Sequence, residues 1–201
     1  RLHFLYLDTG AMYRALAWLA LHTRTHVDNQ DALVRLAATS RIRVTLDASS
    51  PLGFRVYAGD AELGAEELES NEVTAVVSIV AAHARVRESM VREQRSIANE
   101  GPVVMAGRDI GTVVLPDAAV KIFLTASVRA RVARRRAQLV HAGVDVGSHE
   151  LMKEIEERDR LDKERATAPL RKAADAHEID SSALGIEEVV DTIVAIVERS
   201  E

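Results

Sequence analysis

Apolar and polar positions alternate along this chain with two different rhythms. VVMA and VKIFL are short apolar runs, rich in β-branched residues and bounded by Gly or Pro, while HFLYL and HEIDS also read as short strands. That pattern predicts strands buried in a sheet. Between them the spacing becomes helical: TGAMYRALAWLALHT, then DNQDALVRLAAT with Asp28 or Asn29 as its N-cap. Two more helices fill residues 66–101, an Arg-rich helix starts at Ser127, another runs from about His149 to Arg165, and IEEVVDTIVAIVER closes the chain. Strands that alternate with helices predict a parallel α/β sheet. One region departs from this. IRVTLD and FRVYAGDAELG alternate in–out around the turn SSPLG, the mark of an antiparallel hairpin near residues 41–64, inserted as a small lobe.

Composition narrows the class. With 201 residues, 47% of them hydrophobic, the chain can bury one core and a small appended lobe. No apolar run is long enough to cross a bilayer. Cysteine is absent, which excludes disulfides and thiolate metal sites and points to a cytoplasmic protein. A net charge of −5 argues against general nucleic-acid binding. The basic residues are nevertheless unevenly placed and mostly arginine, the lysines being Lys121, Lys153, Lys163 and Lys172 alone. Concentrated arginine in an acidic chain predicts a local anion site, since the guanidinium fork suits phosphate or carboxylate. The seven histidines lack metal-ligand spacing, and no Ser-His-Asp signature, HExxH or GxGxxG occurs.

Charge sits out of position in four places. Arg14 is the single charge in the otherwise apolar helix of residues 11–21, near an N-terminus whose dipole disfavours a cation. It needs an anion, either an internal carboxylate such as Asp8 or a ligand phosphate. In GRDIG, Arg108 and Asp109 stand where a strand ends, either as a turn with a local ion pair or at the carboxyl edge where open α/β sheets bind ligands. Leu151, Ile155, Arg158, Asp162 and Arg165 share one helical face, so a core-facing stripe continues into charge. A solvated ion pair at a helix end is the plain alternative. Arg131, Arg134 and Arg135 share a face before AGVDVGS, either as a solvated basic helix or as a cationic clamp on a polyphosphate with a Gly-containing lid behind it.

Taken in order, YLDTGAMYRAL, VVSIVAAHARVRE, GRDIGTVVLPDAAVKIFLTAS, RRRAQL and EERDRLDKERATAPLRKAADAHEIDSS closely resemble the bacterial cytidylate kinases. The resemblance implies a P-loop NTPase-like parallel α/β sheet flanked by helices. Residues 1–39 and 101–201 would form its core with a short lid near 134–165, and residues 40–100 an inserted monophosphate-binding lobe. It implies transfer of the ATP γ-phosphoryl group to CMP or dCMP, with Mg²⁺, by a monomer in the cytoplasm that engages neither nucleic acid nor membrane. Residue by residue, Arg14, Arg108 and Arg165 correspond to arginines on the acceptor phosphate. Ser78, Arg87 and Asp109 correspond to cytosine readers, Thr9 to a hydroxyl residue beside the nucleotide, and Arg158 and Asp162 to a pair on the pentose. Arg131, Arg134 and Arg135 correspond to arginines on the ATP phosphates, so that Arg108, Arg131, Arg134 and Arg165 form the expected catalytic set.

The family's GxxxxGK[ST] loop is not found in these residues. The expectation is that the natural protein continues upstream of Arg1; a CMP-binding remnant without an ATP site, or a kinase of another monophosphate, are the alternatives. Since the family places its loop-bearing strand at the sheet centre, HFLYL is expected to pair with VVMAG and VKIFL with HEIDS. VVMAG and VKIFL should then not pair with each other.

Overall fold

The computed structural model describes the chain except for residues 41, 48, 51, 142 and 201, so Arg41, Ala48 and Pro51 of the hairpin lobe and Ala142 of the expected lid lie outside the described residues. Strand β1 (Leu5–Asp8) leads through Thr9 into α1 (Gly10–His22), followed by α2 (Gln30–Thr39). Asn29 is the N-cap of α2, its Oδ1 accepting from the Ala32 N–H at 3.0 Å. β2 (Ile42–Leu46), β3 (Phe54–Ala58) and β4 (Ala61–Leu63) form one antiparallel sheet, so AELG adds a third strand to the expected hairpin. Helices α3 (Ala65–Leu68), α4 (Asn71–Ala82) and α5 (Ala84–Ala98) follow, three where two were expected, because Ser70 caps a fresh start after one short turn. The chain then runs through β5 (Val103–Ala106), a π-helical turn (Ile110–Val114), β6 (Ile122–Thr125), α6 (Val128–His141), α7 (Ser148–Glu164), β7 (His177–Asp180) and α8 (Ile186–Glu198).

Strand pairing follows the expectation. β1 pairs in parallel with β5, from Leu5 opposite Val103 to Asp8 opposite Ala106, and β6 pairs in parallel with β7, from Ile122 opposite His177 to Thr125 opposite Asp180. β5 and β6 belong to different sheets among the described residues. The burial of these strands differs from the reading of their apolar runs. Val104 is 40% exposed and Leu124 54%, each on a strand with one paired neighbour among the described residues.

The core gathers around α1, whose Met12, Leu16, Ala17 and Ala20 are fully buried against Leu7 of β1, Leu33 of α2, Val56 of β3 and Val73 and Val80 of α4. The lobe sheet turns a strict period-2 face toward this core: Phe54, Val56 and Ala58 are buried while Arg55 and Tyr57 point outward. Outward, Arg43 lies opposite Tyr57 with its guanidinium 5.4 Å from the ring centroid.

The segment after β5 departs most from the expected simple turn. Gly107 passes beneath Thr9 so closely that a Cβ there would lie 2.5 Å from Thr9 Oγ1, which requires glycine. Asp109 then opens the π-helical turn, its carbonyl accepting from the Val113 N–H at 2.8 Å. Helix α5 pins the turn at both ends. Arg87 holds the Asp109 carboxylate, and Arg95 donates to the carbonyls of Val113 and Val114 at 2.7 and 2.8 Å. Such π-turns recur at functional sites, where they re-aim side chains.

Candidate active site

Four elements bring most of the expected residues together. Thr9 and Arg14 come from the β1–α1 junction, Arg87 from α5, Arg108 and Asp109 from the loop after β5, and Arg158, Asp162 and Arg165 from the end of α7. Thr9 is buried and its hydroxyl donates to the Ala106 carbonyl at 2.9 Å, tying α1 to β5. The charged stripe of α7 follows its expected course. Leu151 is buried in the packing with α6, Arg158 is half-buried, and Asp162 is buried at the inner end.

These charges fall into two kinds of environment. Arg87 and Asp109 are 3% and 6% exposed and form an ion pair with each other. The Arg87 guanidinium also donates to the Ala81 carbonyl at 3.1 Å and stacks over the Tyr13 ring, 5.3 Å from its centroid. Asp162 accepts from Arg108 Nε at 2.7 Å and lies 3.7 Å from Arg165 Nη1, while Arg165 Nε donates to the Ala168 carbonyl at 2.6 Å. Asp162 thus reaches across from α7 to the loop after β5 instead of pairing with Arg158 one turn away.

Arg14 and Arg158 are different. Arg14 donates to the Leu68 carbonyl and the Thr74 hydroxyl at 2.9 and 3.0 Å, but no carboxylate among the described residues comes within ion-pair distance. Asp8, the internal partner open to it on sequence, instead accepts from the Gly10 N–H at 2.9 Å. Arg158 forms neither an ion pair nor a hydrogen bond with a described residue. Burial pushes the pKa of both guanidiniums down. Arg135 and Arg108 press Arg14 further in that direction against Glu69 and Asp8, and Arg108 and Arg14 press on Arg158 against Asp162 and Glu154. Burial and then Arg87 depress Arg165 likewise. Several half-buried cations that repel one another, with too few carboxylates among them, call for an anion.

A cleft of about 500 Å³ opens beside Arg14 toward the lobe, lined also by Tyr6, Asp8, Phe54, Leu68 and Glu69; none of the other expected site residues lines it. Ser78 lies half-exposed on α4 and makes no hydrogen bond with a described residue. Of the three arginines expected on the donor nucleotide, two are engaged within the chain. Arg131 forks onto Asp159 at 2.8 and 2.5 Å, joining α6 to α7. Arg134 donates to the Ser181 hydroxyl and to the carbonyls of Ser181 and Leu184, joining α6 to the end of β7. Arg135 makes no such bond and contributes to the positive field at Arg14.

Sequence reasoning passed over Tyr13, Gln94 and Asp159. Tyr13 and Gln94 are buried on helices whose apolar spacing hides them as core residues, and their signal is only the presence of polar atoms on an inward stripe. Asp159 carries a visible signal, an acid next to Arg158 in an arginine-rich stretch, but its partner lies on another helix. Among the described residues no group of three or more His, Asp or Glu side chains is arranged to hold a metal, and no helix is long and apolar enough to cross a membrane.

The fold is α/β, with parallel sheets flanked by helices, and beside its cleft stand several half-buried arginines with few carboxylates among them. Comparison with known proteins makes this specific. The family model described as cytidylate kinase matches residues 1–199. A cytidylate kinase of Geobacillus sp. (strain WCH70) is 49% identical over 197 residues, 98% of this chain and 86% of the relative. One from Pelotomaculum thermopropionicum is 50% identical over 194 residues, 96% of this chain and 84% of the relative, and one from Anoxybacillus flavithermus is 48% identical over 198 residues. The chain belongs to the cytidylate kinase family.

Proposed function

We propose that the natural protein, provided it carries the GxxxxGK[ST] loop that these residues do not contain, transfers the γ-phosphoryl group of ATP to CMP or dCMP, giving CDP or dCDP. The observation that carries the reading is the set of half-buried arginines, Arg14 and Arg158 above all, that lack a carboxylate partner while pressing on one another electrostatically. A nucleoside monophosphate supplies the missing anion. Phosphoryl transfer asks little covalent chemistry of the protein and much positioning and charge neutralisation.

In this reading Arg14, Arg108 and Arg165 hold the acceptor phosphate, and Arg158 and Asp162 hold the pentose. Asp162 is already oriented by Arg108 and keeps capacity to accept from sugar hydroxyls. Ser78, Arg87 and Asp109 read the base. Arg87 occupies one carboxylate oxygen of Asp109, and the other is available to the exocyclic amino group of cytosine. Uracil presents a carbonyl there, which a carboxylate repels. Thr9 fixes the floor between β1 and β5. Arg131, Arg134 and Arg135 lie on the side of the donor nucleotide; Arg131 and Arg134 would exchange their present partners for phosphate when α6 and the lid close over ATP. The described carboxylates form no metal cage, and Mg²⁺ enters as part of the MgATP substrate.

The same reading treats residues 1–39 and 101–201 as the core, with a lid near 134–165, and residues 40–100 as the acceptor-binding lobe. It places the protein in the cytoplasm as a monomer. A coupled assay of nucleoside diphosphate formation from MgATP tests the function, with CMP, dCMP, UMP and AMP as acceptors. Turnover with CMP and dCMP far above UMP and AMP is expected; binding of CMP without turnover, or preference for another monophosphate, would contradict it.

A further inference from the structure

Every buried side-chain polar atom without a hydrogen-bond partner among the described residues belongs to one of four side chains: Tyr13 Oη, Arg87 Nε, Gln94 Nε2 and Arg165 Nη2. These four are neighbours. The Arg87 guanidinium lies over the Tyr13 ring and grips Asp109. Arg165 feels the charges of Arg87 and Asp109. The Gln94 amide lies alongside the Tyr13 hydroxyl without completing a hydrogen bond to it.

Gln94 is the one neutral amide in this group, 1% exposed, on the same face of α5 as Arg87 and two turns further along. A buried amide with an unmade hydrogen bond is a liability that a leucine of similar size would avoid. Its neighbour Arg95 already secures α5 to the π-helical turn, so Gln94 is not needed for that junction.

We infer that Gln94 is a positioning residue for base selection: when a base binds, its carboxamide closes onto the Tyr13 hydroxyl, fixes the Tyr13 ring against the Arg87 guanidinium, and so aims Asp109 at an exocyclic amino group. The inference rests on the assignment of Arg87 and Asp109 to the base. The guanidinium is anchored at its two terminal nitrogens by the Ala81 carbonyl and by Asp109, while its plane is set by the ring it stacks on. Turning the ring turns that plane, and Asp109 turns with it. The unmade bonds of Gln94 and Tyr13 leave the cluster able to tighten when a base with ring-nitrogen and carbonyl acceptors arrives beside Arg87 Nε.

Steady-state kinetics of the full chain with CMP and UMP test this in Gln94→Leu, Tyr13→Phe and Asp109→Asn. Gln94→Leu should lower the CMP-to-UMP ratio of kcat/KM by about fivefold, the worth of one hydrogen bond. The loss should come through KM for CMP with KM for ATP unchanged, at an equal or higher Tm. Tyr13→Phe should do the same, and the double variant should add little, because the two act as a unit. A ratio unchanged in Gln94→Leu but lowered in Asp109→Asn would reduce Gln94 to packing and overturn the inference. A ratio unchanged in both would remove the base-reading assignment itself. If Gln94→Leu does not fold, the near-isosteric Gln94→Glu decides: its ratio should be lowered at neutral pH and recover as pH falls and the new carboxyl regains a proton, and a wild-type ratio throughout would overturn the inference.

Discussion

Arg87 and Arg158 lie in neighbouring parts of one site and are treated oppositely by the fold. Arg87 is buried with its carboxylate, a carbonyl and an aromatic face all supplied by the chain. Arg158 is half-buried on α7, faces other cations, and is given no partner by any described residue. The first arrangement is fixed within the chain and suits the base recognition proposed for it. The second is held among like charges and suits the binding of an anionic ligand proposed for it.

Removing a partner from the satisfied region has the largest expected effect on stability. Asp109→Asn leaves the buried Arg87 charge without its counter-ion and should cost about 3 kcal/mol in denaturant unfolding. It should also lower the CMP-to-UMP ratio of kcat/KM while leaving ATP affinity in place. Full stability in Asp109→Asn would mean that the Arg87 pair is not the fixed element described here.

The comparison sharpens on α7, where Arg158 and Asp162 stand one turn apart. Asp162→Ala removes the partner of Arg108 and the neighbour of the buried Arg165, and should cost about 2 kcal/mol. Arg158→Ala removes a cation that makes no ion pair with a described residue, and its thermal stability should stay within about 0.5 kcal/mol of wild type. Both should raise KM for CMP. Equal destabilisation by the two would show that Arg158 is a structural ion-pair member after all.

The smallest effect belongs to the α6–α7 junction. Burial raises the pKa of Asp159, but the fork from Arg131, then Lys163 and Arg108, outweigh it and hold the carboxyl below its ordinary range. The stabilisation it provides is therefore complete above the usual carboxylate pKa of about 4 and lost as pH falls through the lower folded value. Asp159→Asn should cost about 1 kcal/mol at pH 7, and its gap from wild type should close below about pH 4 in thermal melts. A gap independent of pH would assign the effect to packing.

Much of this was legible in the sequence, for physical reasons that differ by element. The pairing of HFLYL with VVMAG and of VKIFL with HEIDS followed from the family's sheet order, and the inward turn of Asp162 from helical period alone. Arg14 announced itself because a lone cation in an apolar helix has no cheap explanation. The π-helical turn after Asp109 was not legible, since GRDIG carries only turn signals and the turn depends on Arg87 and Arg95 from a helix nearby. Arg134 escaped similarly: its partners are mostly backbone carbonyls, which leave no trace in a side-chain pattern.

Arg14, half-buried and without a carboxylate at ion-pair distance among the described residues, is the group proposed to await the phosphate of the acceptor nucleotide. Calorimetric titration of the full chain with CMP and with cytidine, in wild type and in Arg14→Met, tests it most directly. The account predicts that CMP binds wild type about 100-fold more tightly than cytidine, the worth of two or so charge-assisted bonds, and that Arg14→Met narrows this gap about tenfold while leaving cytidine binding unchanged. Equal affinities for CMP and cytidine, or a gap unaffected by the substitution, would contradict it.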